Sequence, residues 1–317
     1  MIVISNKDGH IYNLEYKILD IVNEYQRNDS VTINTNYEGI CLEFVGFYKL
    51  LDCMCDIFLI DKSKITIITE NALESHSAYN IIIVQSHWLA YTKTYIPQGY
   101  APTKNTHLRT LGCFVGKINW HRLVLLNWLY NNYQDQCLLT CHYRNEDNQT
   151  LQSELTELNF YMSSEIDSIN FLKHCPLIID EEFTTFTIMD PDHLTIIKQY
   201  DKIFLDLVIE TYIMGNTFFP TEKTIRPIIA QTPFIIMGPK HYLANLKKLG
   251  FKTFDKWWSE DYDQFAGVDR IIEIKKRLSD IFSWQQEKLH TVLTEMQPIL
   301  EFNYNHYMTS KLNDNKK

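Results

Sequence analysis

The sequence predicts an α/β protein made of two Rossmann-like domains with a central cleft and closing C-terminal helices. β-Branched apolar runs such as Lys64–Thr69 and Ile81–Gln85 alternate with helical stretches, which is typical of parallel sheets covered by helices. The same rhythm restarts after the polar, turn-rich residues 97–107. Helical periodicity then continues over Val268–Tyr307 with no further strand signal.

Residues 97–107 mark the predicted domain boundary, so we assign residues 1–105 to an N-terminal domain and residues 106–317 to a C-terminal domain. In the first domain, apolar spacing and β-branched runs predict helices over Tyr16–Tyr25 and Gly46–Leu59, a short strand over Val31–Asn34, and two fully buried strands over Lys64–Thr69 and Ile81–Gln85.

The second domain repeats the alternation. The expected elements are a strand over Thr110–Val115, a helix over Trp120–Tyr133, strands over Gln136–His142, Lys202–Glu210 and Phe234–Met237, and a helix over Tyr242–Leu249. Residues 144–200 are a variable region with an acidic helix and no clear further pattern.

Composition narrows the functional class. The 317 residues carry a net charge of −9, which argues against general affinity for a nucleic-acid backbone. The seven cysteines are odd in number and lie mostly in apolar runs, which favours reduced thiols in the cytoplasm. The chain opens with only four apolar residues, Met1–Ile4, and has no apolar run near the roughly 18 residues of a spanning helix. We therefore expect a soluble protein with neither a secretory signal nor a membrane span.

Residues 207–238 carry the main functional signal. Their pattern is a strand, a polar loop with Thr221-Glu222-Lys223, a helix and a buried strand. That order places an acidic and a basic side chain beside a helix N-terminus at the carboxyl edge of a parallel sheet. Open α/β sheets bind ligands at this edge, and a helix N-terminus favours phosphate. The segment therefore predicts a site for a nucleotide diphosphate.

Pro227 constrains where the helix in this segment starts, because proline is tolerated in the first turn and disfavoured further in. We predict a start between Thr224 and Arg226, with Thr221 or Thr224 as the N-cap. Glu222 would then accept hydrogen bonds from the ribose hydroxyls, while Lys223 and Arg226 would neutralise the diphosphate. The alternative is a simple capping sequence with a solvated charge pair, which is equally compatible with the spacing.

Three segments follow one another in the second domain: Glu210-Thr211, Thr221-Glu222-Lys223, and Ile228-Ile229-Ala230-Gln231-Thr232-Pro233-Phe234-Ile235-Ile236-Met237-Gly238. Their order and interval resemble the C-terminal half of α-1,3-fucosyltransferase-type GT-B glycosyltransferases. In that family a Glu-Asn-Ser/Thr segment precedes Thr-Glu-Lys, and a Thr, a Pro, an apolar strand and a Gly follow. The resemblance covers about a third of the chain. Thr211-Tyr212 and Arg226-Pro227 depart from the family pattern.

The resemblance implies a metal-independent glycosyltransferase that needs no cofactor and uses a nucleotide-diphosphate sugar as co-substrate. It implies that Glu210, Glu222 and Lys223 contact this donor, and that Arg122, after the strand over Leu111–Val115, lies near the diphosphate. The donor sugar stays open, and the acceptor is an unknown glycan, protein or nucleic acid. The segment Phe-Phe-x-Thr-Glu-Lys-Thr also resembles a group of phage and bacterial proteins, which supplies no function.

An inverting transfer needs a base that takes the proton from the acceptor hydroxyl, and in such enzymes the base comes from the N-terminal domain. Asp8 and His10, on the loop after the first strand, are the first candidates. Glu38 and Glu70 are the reserves. For each of them the simpler interpretation is a turn or surface residue.

Two other functional classes stay open. One is a non-catalytic binding or assembly protein on the same shell, and the other is a phage-type glycosyltransferase that modifies nucleic acid. The pair Asp190 and Asp192 has metal-binding spacing, but the proline between them favours a turn. Cys53 and Cys55 lack a second cysteine pair, so we expect no zinc site there. The pair Trp257-Trp258 fits either a sugar-stacking or a core role.

Overall fold

The computed structural model describes residues 1–4, 6–7, 10–11, 14–35, 39–84, 102–143, 148–162, 165–179 and 193–309. The strands are β1 (Ile2–Val3), β2 (Asn6–Lys7), β3 (His10–Ile11), β4 (Val31–Asn34), β5 (Ile65–Thr69), β6 (Asn80–Ile83), β7 (Arg109–Val115), β8 (Cys137–Cys141), β9 (Ile203–Ile209) and β10 (Phe234–Met237). The helices are α1 (Leu14–Asn28), α2 (Phe47–Phe58), α3 (Trp120–Tyr133), α4 (Asn148–Met162), α5 (Glu165–Leu172), α6 (His193–Gln199), α7 (Glu222–Ile229), α8 (Tyr242–Lys248), α9 (Gly267–Phe282) and α10 (Gln286–Thr309).

The N-terminal sheet has the strand order β1-β4-β5-β6, with every neighbouring pair parallel. Its central strands are β-branched because both faces are covered, and Ile33 pairs with Ile67 at the centre of the core. Helices α1 and α2 contribute Ile21 and Leu51 to the same apolar cluster. The expected helices and strands of this region are present.

Strand β6 differs from the expectation in its burial. The sequence Ile81-Ile82-Ile83 predicted a fully buried strand, but Ile82 is 49% exposed and Ile83 is 40% exposed. Strand β6 pairs only with β5 among the described strands, so it stands at the edge of the described sheet. The prediction of full burial was wrong because an apolar run does not distinguish a central strand from an edge strand.

The C-terminal sheet has the order β10-β9-β7-β8, again parallel throughout. Every residue of β9 and β10 is buried. The chain passes from β7 to β8 on one side and then crosses to β9 on the other side of β7. The order of the strands therefore reverses between β7 and β9, which makes a topological switch point there.

The mixed α/β class is thus confirmed, with two four-stranded parallel sheets in the described residues. The described part of the expected linker lies against the C-terminal sheet. Lys104 donates its three ammonium hydrogen bonds to the carbonyl oxygens of Tyr200 and Ile203 and to Oγ1 of Thr232. The boundary at residue 105 stays a prediction.

The loop after β9 contacts the N-terminal sheet closely. Asn71, which is fully buried after β5, donates to the carbonyl of Asn216 and accepts from the backbone N–H of Phe218. Gly39 lies directly against the ring of Phe219, and a Cβ at position 39 would overlap Cβ and Cγ of that phenylalanine. This close approach explains why glycine stands at position 39.

The last two helices cover the C-terminal sheet and confirm the helical periodicity of the sequence. Arg270 of α9 is fully buried, donates to the carbonyl of Ile236, and pairs with Asp263 at 3.0 Å. Helix α10 holds the start of the second sheet through Gln286, whose side chain bonds the backbone of Leu108 in both directions. Among the described helices, none combines the length and the apolar character that a membrane crossing requires.

Candidate functional site

The carboxyl ends of β7 and β9 form the centre of the candidate site. The chain leaves β7 toward α3 and leaves β9 through the loop that leads to α7. These two connections diverge because the strand order reverses between the strands. Open α/β sheets bind ligands in the crevice that such a divergence opens.

Glu210 follows β9 directly and anchors the loop. It is 1% exposed, and its Oε1 accepts from the backbone N–H of Thr221 at 3.1 Å, from Thr224 Oγ1 at 2.6 Å and from the Tyr242 hydroxyl at 3.0 Å. Its Oε2 accepts from Thr221 Oγ1 at 2.6 Å. With both oxygens occupied, Glu210 acts as a positioning residue that fixes the start of α7 on the sheet.

Helix α7 starts at Glu222, with Thr221 as its N-cap. Thr221 Oγ1 accepts from the backbone N–H of Lys223, so the prediction of a Thr221 cap is confirmed. The predicted start between Thr224 and Arg226 was wrong, because Glu210 fixes the first turn further upstream. Pro227 consequently lies inside the helix, at its sixth position. The helix ends two residues later, which limits the number of hydrogen bonds that the proline disrupts.

Three charged side chains surround the start of α7. Lys223 Nζ lies 2.8 Å from Glu222 Oε1, and Arg226 lies 4.0 Å from the same oxygen. Burial opposes ionisation of Glu222, but the positive charges of Lys223 and Arg226 outweigh it and lower the pKa of the Glu222 carboxyl to about 2. Glu222 and Lys223 are partly exposed and Arg226 is buried, so the first two are the accessible members of the cluster.

Arg122 links this cluster to the loop after β7. Its guanidinium is buried and donates to the carbonyl oxygens of Lys117 and Ile209, at 2.8 and 3.3 Å. Burial lowers the pKa of Arg122, and the negative charges of Glu210 and Glu222 oppose this shift. Arg122 therefore places a buried positive charge between the carboxyl ends of β7 and β9.

A cavity of about 620 Å³ opens beside these residues. Its lining from the C-terminal part of the chain consists of residues that follow β7 and β9 together with residues of α4. Its lining from the N-terminal part consists of Leu14, at the start of α1, and residues that follow β4. The described lining residues are Leu14, Ile40, Phe44, Val45, Gly46, Phe47, Leu50, Asn119, Trp120, His121, Glu154, Thr156, Glu157, Phe160, Tyr161, Thr211, Tyr212, Ile213 and Met214. The cavity thus lies where the carboxyl edges of the two sheets face each other.

The predicted donor-binding residues come together at this edge of the C-terminal sheet. Glu210, Thr221 and Glu222 are joined through hydrogen bonds and the cap of α7, and Lys223 pairs with Glu222. The lining of the cavity contains none of them among its described residues, and it reaches this group through His121, whose Nε2 lies 3.1 Å from the carbonyl oxygen of Glu210.

The predicted base residues lie mostly outside the described part of the chain. Asp8 and Glu38 belong to the undescribed residues, and His10 is described only as part of β3. Asp190 and Asp192, the pair considered for a metal, also lie outside the described residues. Glu70 is described and buried at the carboxyl end of β5.

Several site residues were not anticipated from the sequence. Tyr242 donates a hydrogen bond to Glu210 at 3.0 Å, and Glu154 accepts from the backbone N–H of Trp120 at 2.6 Å. No short motif marks them, because each acts through a contact between distant elements. The one available signal is Glu154 and Glu157, which lie one helical turn apart in the region that had no clear pattern.

The other residues that the sequence singled out are the pair Cys53 and Cys55 and the pair Trp257-Trp258. Cys53 and Cys55 lie on α2, and all seven cysteines are free. The described residues contain no cluster of His, Cys, Asp and Glu side chains suited to a metal ion. Trp258 is buried against Phe254, and Trp257 donates to Glu295 at 2.8 Å, which favours the core role for this pair.

A comparison of the chain with protein-family models finds no match, and a comparison with curated proteins finds no significant similarity.

Proposed function

We propose that the protein is a GT-B-like glycosyltransferase that moves a sugar from a nucleotide-diphosphate sugar to an acceptor hydroxyl. The observation that carries this proposal is the charged cluster Glu222, Lys223 and Arg226 at the N-terminus of α7, beside the switch point of a parallel sheet. Helix N-termini and switch points are the places where α/β folds bind nucleotides and phosphates.

The cavity supports the same function. Residues that follow β4, β7 and β9 line it together, so two sheets contribute their carboxyl edges to one space. This is the arrangement expected of an enzyme that brings a donor on one sheet to an acceptor on the other. The volume of about 620 Å³ is within the usual range of ligand sites.

The charges suit the chemistry of the transfer. As the acceptor oxygen bonds to the anomeric carbon, the bond from that carbon to the diphosphate breaks, and the electron pair goes to the diphosphate oxygen. Lys223, which is partly exposed, would stabilise this growing negative charge more than the ground state. Arg122 and Arg226 are buried behind the site, and their charges would contribute at longer range.

Glu222 has the properties required to bind ribose. Its pKa of about 2 keeps it ionised at neutral pH, and an ionised carboxylate accepts two hydroxyl hydrogen bonds. Glu210 would act indirectly by holding Thr221 and α7 in place. For an inverting transfer, the acceptor proton would go to Asp8 or His10, which remain the candidate bases. In this scheme no metal or cofactor takes part.

The test is isothermal titration of the full chain with GDP, UDP, CDP and dTDP, and with inorganic pyrophosphate. The wild type should bind at least one nucleoside diphosphate. Lys223→Ala should weaken that nucleotide and pyrophosphate by about tenfold or more, because a charge-assisted hydrogen bond to phosphate is lost. Glu222→Ala should weaken the nucleotide but not pyrophosphate, because pyrophosphate has no ribose.

Lys276→Ala is the matched control, since Lys276 forms a comparable ion pair with Glu273 on the surface of α9. It should leave every titration unchanged. The proposal fails if none of the four nucleotides binds, or if Lys223→Ala binds them as the wild type does.

A further inference from the structure

Two of the seven free cysteines, Cys141 and Cys175, lie side by side at the edge of the described C-terminal sheet. Cys141 is the last residue of β8, and Cys175 follows α5 in the sequence. The backbone joins the two segments, because the Cys141 N–H donates to the Leu177 carbonyl at 3.0 Å and the Leu177 N–H donates to the Cys141 carbonyl at 2.9 Å. This antiparallel pairing makes Cys175, two residues before Leu177, a diagonal neighbour of Cys141.

The side chains of this pair are in direct contact. A hydrogen bond joins the Cys141 and Cys175 thiols, so each sulfur points toward the other. Cysteines whose side chains point apart cannot form a disulfide without movement of the backbone, and this pair meets the opposite condition. Cys141 is 0% exposed, whereas Cys175 is half-buried and is the sulfur that a small reagent can reach.

The hydrogen bond between the thiols also makes their two protons unequal. Donation from the Cys175 thiol lowers the pKa of Cys141, and the Tyr143 N–H adds to this effect, while burial opposes it. The same hydrogen bond, together with burial, raises the pKa of Cys175. The pair therefore loses one proton readily, and the two sulfurs share the other along their hydrogen bond. A thiolate is the form of cysteine that reacts with oxidants.

We propose that Cys175 is a site of reversible oxidation by hydrogen peroxide and that Cys141 completes the reaction by forming a disulfide with it. The Cys175 thiolate attacks one peroxide oxygen, the O–O bond breaks, and the sulfur becomes a sulfenic acid. The hydroxide that leaves takes back the proton that the pair first released. The Cys141 sulfur then attacks the sulfenic sulfur, the S–S bond forms, and the sulfenic hydroxyl leaves as water with the Cys141 proton.

The two steps balance, because two thiols and one peroxide give one disulfide and two waters. Two molecules of a small thiol such as glutathione would restore the pair and become oxidised to a disulfide themselves. The odd number of cysteines favours a reducing compartment, where protein disulfides are mostly transient and redox-sensing. The pair thus has the properties of a redox sensor rather than of a permanent cross-link.

The disulfide would stabilise one wall of the cavity. The chain between the two cysteines contains α4 and α5, and residues of α4 line the cavity. Helix α4 packs on α3 through the stacked rings of Trp120 and Tyr161. Helix α5 packs on α3 through the edge-to-face contact of Tyr130 and Phe171. A covalent link between Cys141 and Cys175 would close this segment into a loop, which restricts its unfolded state and stabilises its folded one.

The test exposes the reduced, folded full chain to a small excess of hydrogen peroxide, blocks the remaining thiols with N-ethylmaleimide and maps the peptides by mass spectrometry without reduction. The wild type should yield a pair of peptides linked through Cys141 and Cys175, which dithiothreitol separates. The oxidised wild type should also unfold a few degrees above the reduced protein. Cys141→Ser should stop at the sulfenic acid of Cys175, which dimedone traps, and should show no such shift.

Cys53→Ser is the matched control, since Cys53 is exposed on α2, and it should leave the linked peptides unchanged. The proposal is overturned if Cys141 and Cys175 both stay reduced while Cys53 is oxidised, or if their link forms only after urea unfolds the chain. The wild-type peptide map decides this even where a serine variant does not fold. The result is independent of nucleotide binding at α7, because the reaction involves neither Glu222 nor Lys223.

Discussion

The two parallel sheets use their carboxyl edges in different ways. At the N-terminal sheet, two buried polar side chains hold the fold together: Asn71 bonds the loop after β9, and Glu74 accepts from the Tyr48 hydroxyl and the Leu42 N–H. At the C-terminal sheet, Oδ1 of Asn119 and Nδ1 of His121 are buried and have no hydrogen-bond partner among the described residues. The N-terminal edge thus holds the loop after β9, and the C-terminal edge, where Glu210 fixes the start of α7, is the one at which we propose ligand binding.

Strand order accounts for the difference. In the described N-terminal sheet, the strands follow one another in the order β1-β4-β5-β6, so the connections do not diverge. In the C-terminal sheet, the reversal between β7 and β9 sends two connections apart and opens a crevice that side chains only partly fill. The C-terminal sheet also buries the ionisable groups Asp206 and Lys104, whose pKa values burial moves to about 7.

The largest expected effect concerns the pH dependence of stability at Asp206 on β9. Burial raises the pKa of Asp206 from 3.8 to about 7, although the Tyr200 hydrogen bond and the charges of Arg226 and Lys104 oppose the shift. A raised carboxyl pKa gives stability that is present at low pH and is lost as the pH rises from about 4 to about 7. Compared with Asp206→Asn, the wild type should lose a few kcal/mol of unfolding free energy over this window, at about 1.4 kcal/mol per pKa unit.

Urea denaturation at pH 4, 5.5 and 7 measures this difference. Asp52→Asn is the control from the N-terminal sheet side. Burial opposes ionisation of Asp52, but Lys62 and Tyr79 outweigh it and lower its pKa below 3.8, so its stabilisation should stay constant over these three pH values and be lost only below about pH 4. Equal slopes for the wild type and Asp206→Asn would show that Asp206 titrates normally, and the contrast between the sheets would disappear.

The second-largest expected effect concerns Asn71, which follows β5 and bonds the loop after β9. Asn71→Ala should lower the unfolding free energy by about 3 kcal/mol, because it leaves the Phe218 N–H and the Asn216 carbonyl buried without their partner. The exposed Asn80, which donates to the Ser63 carbonyl, is the matched control, and Asn80→Ala should cost about 0.5 kcal/mol or less. Similar losses for both variants in urea titrations would mean that Asn71 does not tie the sheets together.

The smallest expected effect is spectroscopic and concerns His121, near the carboxyl edge of the C-terminal sheet. His121 should remain neutral with its proton on Nε2 from pH 5 to pH 8, because burial and Arg122 lower its pKa to about 3. Its imidazole ¹⁵N shifts, assigned through His121→Gln, should stay constant over this range. The half-exposed His76 provides the comparison in the same spectra. Titration of His121 near pH 6 would show that its imidazole is exposed to water, which contradicts the buried, neutral imidazole described above.

Much of the fold could be predicted from local patterns. The bounds of α3 and β10 match the expected Trp120–Tyr133 and Phe234–Met237, because each is an apolar run that ends at polar or turn-forming residues. The cap at Thr221 was also accessible, since threonine before an acidic residue is a local signal. The same segment predicts the candidate site, and that prediction awaits the titrations described above.

The rest depended on contacts between distant residues. The start of α7 is set by Glu210, which lies 12 residues earlier in the sequence, and no rule about Pro227 includes that anchor. The exposure of β6 depends on its place in the sheet order, which its composition does not encode. The cavity combines α2, α3 and α4 with the loop after β9, so its lining could not be assembled from any single segment.

The seating of Gly39 on the Phe219 ring has a practical consequence. A single added methyl group there has no free space, and the atoms that it meets are the rigid base of the phenylalanine side chain. Gly39→Ala would therefore push the Phe219 ring away from the loop that follows β4. A substitution of one residue would thus change the spacing between the loop after β4 and the loop after β9 without altering any charged group.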